Sequence, residues 1–324
     1  MLTNFLRQTA TGLVTIVLLS LTACSGKTTD SAPFLTNIEA ERVVNDYAAK
    51  NNEANANGDE QRLQQIEGDA MAIIDTAAIS IRKNADPKPP PHQSFRLTDN
   101  QIVIIEAANY PRSFLAVAHP DVAKDDFDLT LLFQQQSATT PWKMIATIGV
   151  EKPQQAPKLR VNQEGHAELV TSPAGLATDP GKVCGALSDY LNADGNGPHV
   201  SLFAKDKILA GTLARDAAHK KALQQQGITV ERYGYSHREE FPAPILRTAE
   251  GGAFTFCALE RRARISSPAG FAAGNEAKAL LGHGDLVTVM EQTGLGIYGL
   301  EIGGSSVTAI GAQGGLIRVT GTKK

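Results

Sequence analysis

The feature that most restricts what this chain can fold into is a weak internal repeat, since a repeated sequence implies a repeated supersecondary unit. Adding 140 to Val43, Val44, Tyr47, Leu63, Ala70, Ile73, Ile74 and Ala77 gives Val183, Cys184, Leu187, Phe203, Ala210, Leu213, Ala214 and Ala217, so every apolar position lands on another. The same offset carries Phe114 to Phe254, Val117 to Cys257 and Ala118 to Ala258. Farther on the spacing becomes 157, where DLTLLFQQ at 128–135 resembles DLVTVMEQ at 285–292, and an insertion around Ser266 to Leu281 accounts for the change. Amphipathic helices can align by chance because they share a period, so the strand matches give the repeat its weight.

Each copy opens on two helices. Ala40, Val43, Val44, Tyr47 and Ala48 form an apolar stripe, and Leu63, Ile66, Ala70, Ile73, Ile74 and Ala77 form another after a polar turn. Strand-like runs follow: Ile102 to Glu106, Phe114 to Ala118, Leu129 to Gln134 and Trp142 to Ile148, then Ile228 to Tyr235, Phe254 to Arg262, Leu286 to Glu291, Ser306 to Ile310 and Leu316 to Thr320. Helices first and consecutive strands afterward indicate an antiparallel α+β unit rather than βα alternation. The expectation is two similar domains, 36–150 and 182–324, each a helical pair packed on a curved antiparallel sheet. The proline-bearing segment 151–181 is the linker, with a small hairpin around Gln163-Glu164-Gly165 as one option.

This layout resembles the nuclear transport factor two-like, cone-shaped fold, which includes ketosteroid-isomerase-like enzymes and many binding modules. The segments NNEANANGD and YPRSFLAVA are also similar to an uncharacterised tandem domain family of Gram-positive cell-envelope lipoproteins. That second resemblance implies no known chemistry.

The start of the chain speaks to location. One cation, Arg7, precedes an apolar run from Gly12 to Leu21 that ends in small residues, the layout of an export signal. About ten residues are too few to cross a bilayer, which takes about 20. Leu21-Thr22-Ala23-Cys24 resembles the lipobox of bacterial lipoproteins. The resemblance implies diacylglycerol on the Cys24 thiol, cleavage of the signal peptide 1–23, acylation of the new amino terminus, a tether over 24–35, and an extracytoplasmic protein lipid-anchored to the cell membrane. The ordinary secreted protein with an incidental Cys24 is the alternative. Gly26-Lys27-Thr28 lacks the glycine five residues upstream that a phosphate-binding loop needs.

Without residues 1–23 the chain carries 30 basic against 34 acidic residues and no basic tract, which gives no electrostatic reason to bind nucleic acid. Sixteen prolines and 29 glycines in a chain that is 42% hydrophobic fit a loop-rich globular protein.

Motif by motif, the chemistry stays generic. Gly294-Leu295-Gly296-Ile297-Tyr298-Gly299 matches a dinucleotide fingerprint, but LEIGGSSVT after it cannot open the required helix, so a glycine-rich hairpin is expected and no cofactor. Asn192-x-Asp194-x-Asn196-Gly197 starts like a calcium loop, yet Val200 and Phe203 stand where oxygen ligands are needed, which leaves a helix-ending turn. Asp121, Asp125, Asp126 and Asp128 read as a solvated loop rather than a cation site, and the seven histidines have no metal-binding spacing, so no metal is expected. Alternation places Arg262 and Arg264 on one strand face, an anion-binding face or a solvated sheet end. His237 lies near Glu239 and Glu240 on one expected loop with no nucleophile. Cys184 and Cys257, the thiols left once Cys24 is lipidated, fall on interior positions of the repeat; bonded and merely buried are both open.

No catalytic set emerges. The leading expectation is a non-catalytic surface lipoprotein that binds or scaffolds another envelope component, with the membrane as partner through its anchor. The competitor is a ketosteroid-isomerase-like enzyme or small-ligand binder using a cone pocket, for which Tyr47, Asp75 and His119 are the candidates. A transporter solute-binding lipoprotein fits the anchor but not the missing βα alternation.

Overall fold

The computed structural model describes residues 35–324 apart from 89, 124–126, 153 and 283. The leader, Cys24 and the tether up to residue 34 lie outside the described residues. Helix α1 (Asn37–Asn57) begins in a capping box: Thr36 accepts the Glu39 N–H at 3.2 Å while the Glu39 carboxylate accepts the Thr36 N–H at 2.8 Å. It stops at Gly58, whose φ of 64° is the left-handed conformation of a helix end. The second helix expected over Leu63 to Ala77 is instead two, α2 (Glu60–Ile66) and α3 (Asp69–Asn84), because the backbone is extended at Glu67 and Gly68. Strands β1 (Leu97–Ile104), β2 (Arg112–Pro120), β3 (Phe127–Gln135) and β4 (Lys143–Glu151) follow. The second half gives α4 (Val183–Asn192), α5 (Lys207–Gln225), β5 (Thr229–His237), the short β6 (Leu246–Arg247), β7 (Ala253–Phe271), α6 (Asn275–Leu281), β8 (Val287–Ile302) and β9 (Val307–Lys323). The sequence puts two strands at 306–320, but β9 runs through both without a break.

The expectation of two curved sheets, and with it the cone-shaped fold, is overturned by the strand order. All nine strands form one open sheet, β1-β2-β3-β4-β9-β8-β7-β5, with β6 paired to β7. Each half supplies a four-stranded antiparallel meander, and the meanders join at their last long strands, β4 and β9, through Gly149 and Ala312. The order therefore reads the same from either edge inward. A last strand left open would expose unpaired N–H and C=O groups, and the meeting of β4 with β9 at Gly149 and Ala312 covers part of both edges. Glycine permits the approach: a Cβ on Gly311 would collide with the Gly149 carbonyl, and one on Gly299 with Ile148.

The repeat itself is only partly in register. Phe114 pairs with Phe133, and the two offsets carry these to Phe254 and Met290. Those partners are eleven residues out of step, because Phe254 pairs with Glu301 and Met290 with Ile265. The two offsets cannot both mark equivalent residues.

Alternation along β7 divides the interior. Phe254, Phe256 and Ala258 join the core that holds Val44 and Tyr47 of α1 and Ile74 of α3, while Cys257 and Leu259 join the one that holds Leu187 of α4. Helix α3 lies against β4, β8 and β9, so a first-half helix covers second-half strands. The segment between the halves is tied to both. Ala167 bridges Ile105 at the end of β1, Leu169 bridges Leu246 and Leu159 bridges Thr248, and Val161 faces Ala167 across the turn at Gly165. Residues 35–324 form one compact unit. Among the described residues no helix is long and apolar enough to cross a membrane.

Candidate functional site

Helix α5 starts at Asp206, whose carboxylate accepts the Leu209 N–H at 2.7 Å and the Ala309 N–H of β9 at 3.0 Å. One side chain thus caps the helix and fixes its first turn to the sheet. Beyond that turn α5 presents Thr212, Asp216 and Leu223 inward. Asp216 is 4% exposed. Tyr233 and Tyr235, alternate residues of β5, donate their hydroxyls to its two oxygens at 2.6 Å each. Arg261 of β7 lies opposite Tyr235 and reaches Asp216 at 3.5 Å and the Tyr233 hydroxyl at 3.3 Å through Nη1. Burying a carboxylate is unfavourable unless it is hydrogen-bonded, and two short charge-assisted bonds meet that need. Both phenols are pushed up, first by burial; Asp216 adds to this, and Tyr298 also acts on Tyr235. His219, one turn along α5, is pulled down by burial and then by Arg261, which keeps its ring neutral near pH 7.

Beside these polar groups lies a cleft of about 920 Å³ between α5, α6 and strands β7 to β9. At one end stand Arg215, Asp216, His219, Tyr235 and Arg261; at the other stand Leu223, Ile265, Phe271, Met290 and Leu316. A second cavity of about 680 Å³ opens beneath the start of α5 toward Phe127, Leu129 and Gly149, and the two share Arg215, Ala312 and Gln313.

A different buried acid sits in the first half. Glu67 is fully buried and accepts the Tyr47 hydroxyl at 3.0 Å and the Asn51 side-chain N–H at 3.2 Å. Its pKa is raised well above the usual range, by burial first and by the neighbouring Asp75 charge second, and Asp75 is itself raised by burial. Tyr47 and Asp75, candidates of the cone-pocket reading, thus meet around Glu67, but none of the three lines a cavity described above. His119 pairs instead with Asp128 at 3.1 Å.

The remaining sequence candidates fall as follows. Arg262 pairs with Glu260, and Arg264 lies between Glu231 and Glu291, so both guanidiniums already face acids. Cys184 of α4 and Cys257 of β7 stand 5.3 Å apart at Cα with their sulfurs 1.98 Å apart. The glycine motif at 294–299 is not a hairpin; it lies inside β8, paired on both sides, because its glycines give room to the neighbouring strands. Asn192 to Gly197 ends α4, with Asp194 bonded to Lys220. Asp121 accepts the Arg96 N–H at 2.8 Å, and Asp125 and Asp126 lie outside the described residues. His237 is lowered by burial, while Glu240 pairs with Arg238. No group of three or more metal-ligating side chains occurs among the described residues. Sequence reasoning missed Asp216, the two tyrosines and Glu67. The signal for the two tyrosines is Tyr233-x-Tyr235 on one strand face; Asp216 and Arg261 carry none that sets them apart from their neighbours.

Residues 31–293 match a family described as Domain of unknown function (DUF8094), which covers most of the chain and places it in that family. An uncharacterized lipoprotein of Streptomyces coelicolor is 25% identical over 267 residues, spanning 74% of this chain and 72% of the relative. No solved structure matches.

Proposed function

We propose that this member of the DUF8094 family is an extracytoplasmic lipoprotein, held on the membrane through lipid on Cys24, that binds an envelope molecule in the α5 cleft without transforming it. The anchor is supported by the lipobox resemblance at Leu21-Thr22-Ala23-Cys24 and by the similarity to a lipoprotein. The observation that carries the binding role is the cleft, whose volume lies in the range of small-molecule sites and whose walls combine an apolar end with a few convergent polar groups. The non-catalytic role is supported by how the polar groups are used: the Asp216 oxygens are taken up by two phenols, and the nearest histidine is neighboured by that saturated acid rather than by a nucleophile.

Two measurements test this. Mass spectrometry of the mature amino terminus is expected to find acylated Cys24, and Cys24→Ala to abolish lipid labelling; an unacylated mature protein released by the wild type would refute the anchor. For the cleft, the uncharged apolar dye Nile red is expected to bind residues 24–324 carrying Cys24→Ser at one site, and Ala222→Trp, at an exposed position on the cleft wall, to remove that site.

A further inference from the structure

The two ends of the cleft differ in chemistry, and from this we infer that its ligand is a single-chain anionic amphiphile, a long-chain carboxylate or phosphate monoester. This inference rests on the reading of the cleft as a ligand site. Both Asp216 oxygens accept tyrosine hydroxyls, so Arg261 holds that acid only through Nη1, at 3.5 Å. Its Nε and Nη2 donate to no protein acceptor among the described residues. That edge is the one a guanidinium uses to grip two oxygens of a carboxylate or phosphate side by side. Gly294 keeps the edge open: a Cβ there would stand 3.7 Å from Nε and 3.8 Å from Nη2.

Arg215 supplies a second cation. It is exposed on α5, bonds only to Thr212 of its own helix, makes no ion pair among the described residues, and lines both cavities where they meet. His219 is pulled toward its neutral form and both Asp216 oxygens are occupied by the phenols, so Arg215 and Arg261 are the cations a ligand head meets beside that carboxylate. The other acid of the lining, Glu276, is exposed on α6, the helix that closes the apolar end. At that end Leu223, Ile265, Phe271 and Met290, members of one apolar cluster, offer an alkyl chain a surface to pack on, with Gln226, Asn275 and Gln292 also in the lining. Burying such a chain is favoured in proportion to its area, and the head fixes its direction.

The experiment is displacement of Nile red from residues 24–324 carrying Cys24→Ser. Dodecanoate and dodecyl phosphate are expected to displace the dye one to one, about tenfold or more better than dodecanol, while butyrate and inorganic phosphate leave it bound. Arg215→Ala and Arg261→Met should each weaken the dodecyl anions by about tenfold and leave dodecanol unchanged. Should Arg261→Met melt far below the wild type, the exposed Arg215→Ala carries the test alone. The better of the two anions identifies the head. Equal displacement by dodecanol, or anion binding indifferent to Arg215→Ala, overturns the ligand class while dye binding still stands. Failure of the dye itself to bind overturns the cleft reading beneath it.

Discussion

Helices α3 and α5 occupy corresponding places in the two halves, yet one is sealed onto the sheet and the other stands over a cleft. The buried residues of α3 are Ala70, Met71, Ile74, Ala77 and Ile79, an apolar stripe that fills its interface. Those of α5 are Leu209, Thr212, Asp216 and Leu223, so the middle of its inner face is polar. The offset of 140 carries the buried Ala70, Ile74 and Ala77 onto Ala210, Ala214 and Ala217, which are exposed. Alanine gains so little from burial that it does not fix which way a helix turns. What sets the rotation of α5 is Asp206 at its start and the phenols waiting for Asp216. A helix seated by apolar packing closes a core; one seated by a few directed hydrogen bonds leaves room beside them.

The comparison predicts unequal responses to truncation. Met71→Ala on α3 is expected to cost about 2–5 kcal/mol in urea unfolding, whereas Leu213→Ala on the half-buried side of α5 should cost well under half as much. Equal losses would show that α5 is sealed as tightly as α3.

On the α5 side, stability is expected to come more from the link between α4 and β7. Replacing Cys184 and Cys257 by alanine should lower stability by about 4 kcal/mol, from the loop of 73 residues that the link closes. Alkylation of the unfolded, unreduced protein should find no free thiol at either position; two reactive thiols would remove the link.

Smaller is the effect of Asp216→Asn, about 1–3 kcal/mol, because one phenol loses its carboxylate acceptor in a buried site. If this variant instead gained stability and lost Nile red binding, the cleft would have collapsed into an α3-like seal.

The smallest effects are those of pH, and the two regions should move in opposite directions. Glu67 is raised above its unfolded value near 4.5, so the folded chain keeps a proton the unfolded one gives up. Its contribution is complete below about that pH and is lost as pH rises toward the folded value. Glu67→Gln should therefore flatten the decline above pH 4.5 in urea midpoints. His219 is lowered from 6.5, so its contribution is present above that pH and lost as pH falls below it, and His219→Gln should flatten that limb. Unchanged curves in both variants would separate these groups from the stability of their helices.

The sequence by itself determined most of the local elements, although its reading merges α2 with α3, divides β9 in two and leaves α6 out. Stripes at helical spacing and alternating runs place helices and strands because each depends on neighbours within a few residues. It also marked Cys184 and Cys257 as interior positions. The tertiary structure alone decided how the two meanders meet. Pairing β4 with β9 joins residues 149 and 312, and backbone hydrogen bonds at a strand edge leave no mark in the side chains that form it. The same holds for the candidate site. Arg261 and Arg262 are adjacent cations in the sequence, but the pleat sends them to opposite faces, and only the packing of α5 makes one of those faces a cleft, while on the other Arg262 pairs with the buried Glu260.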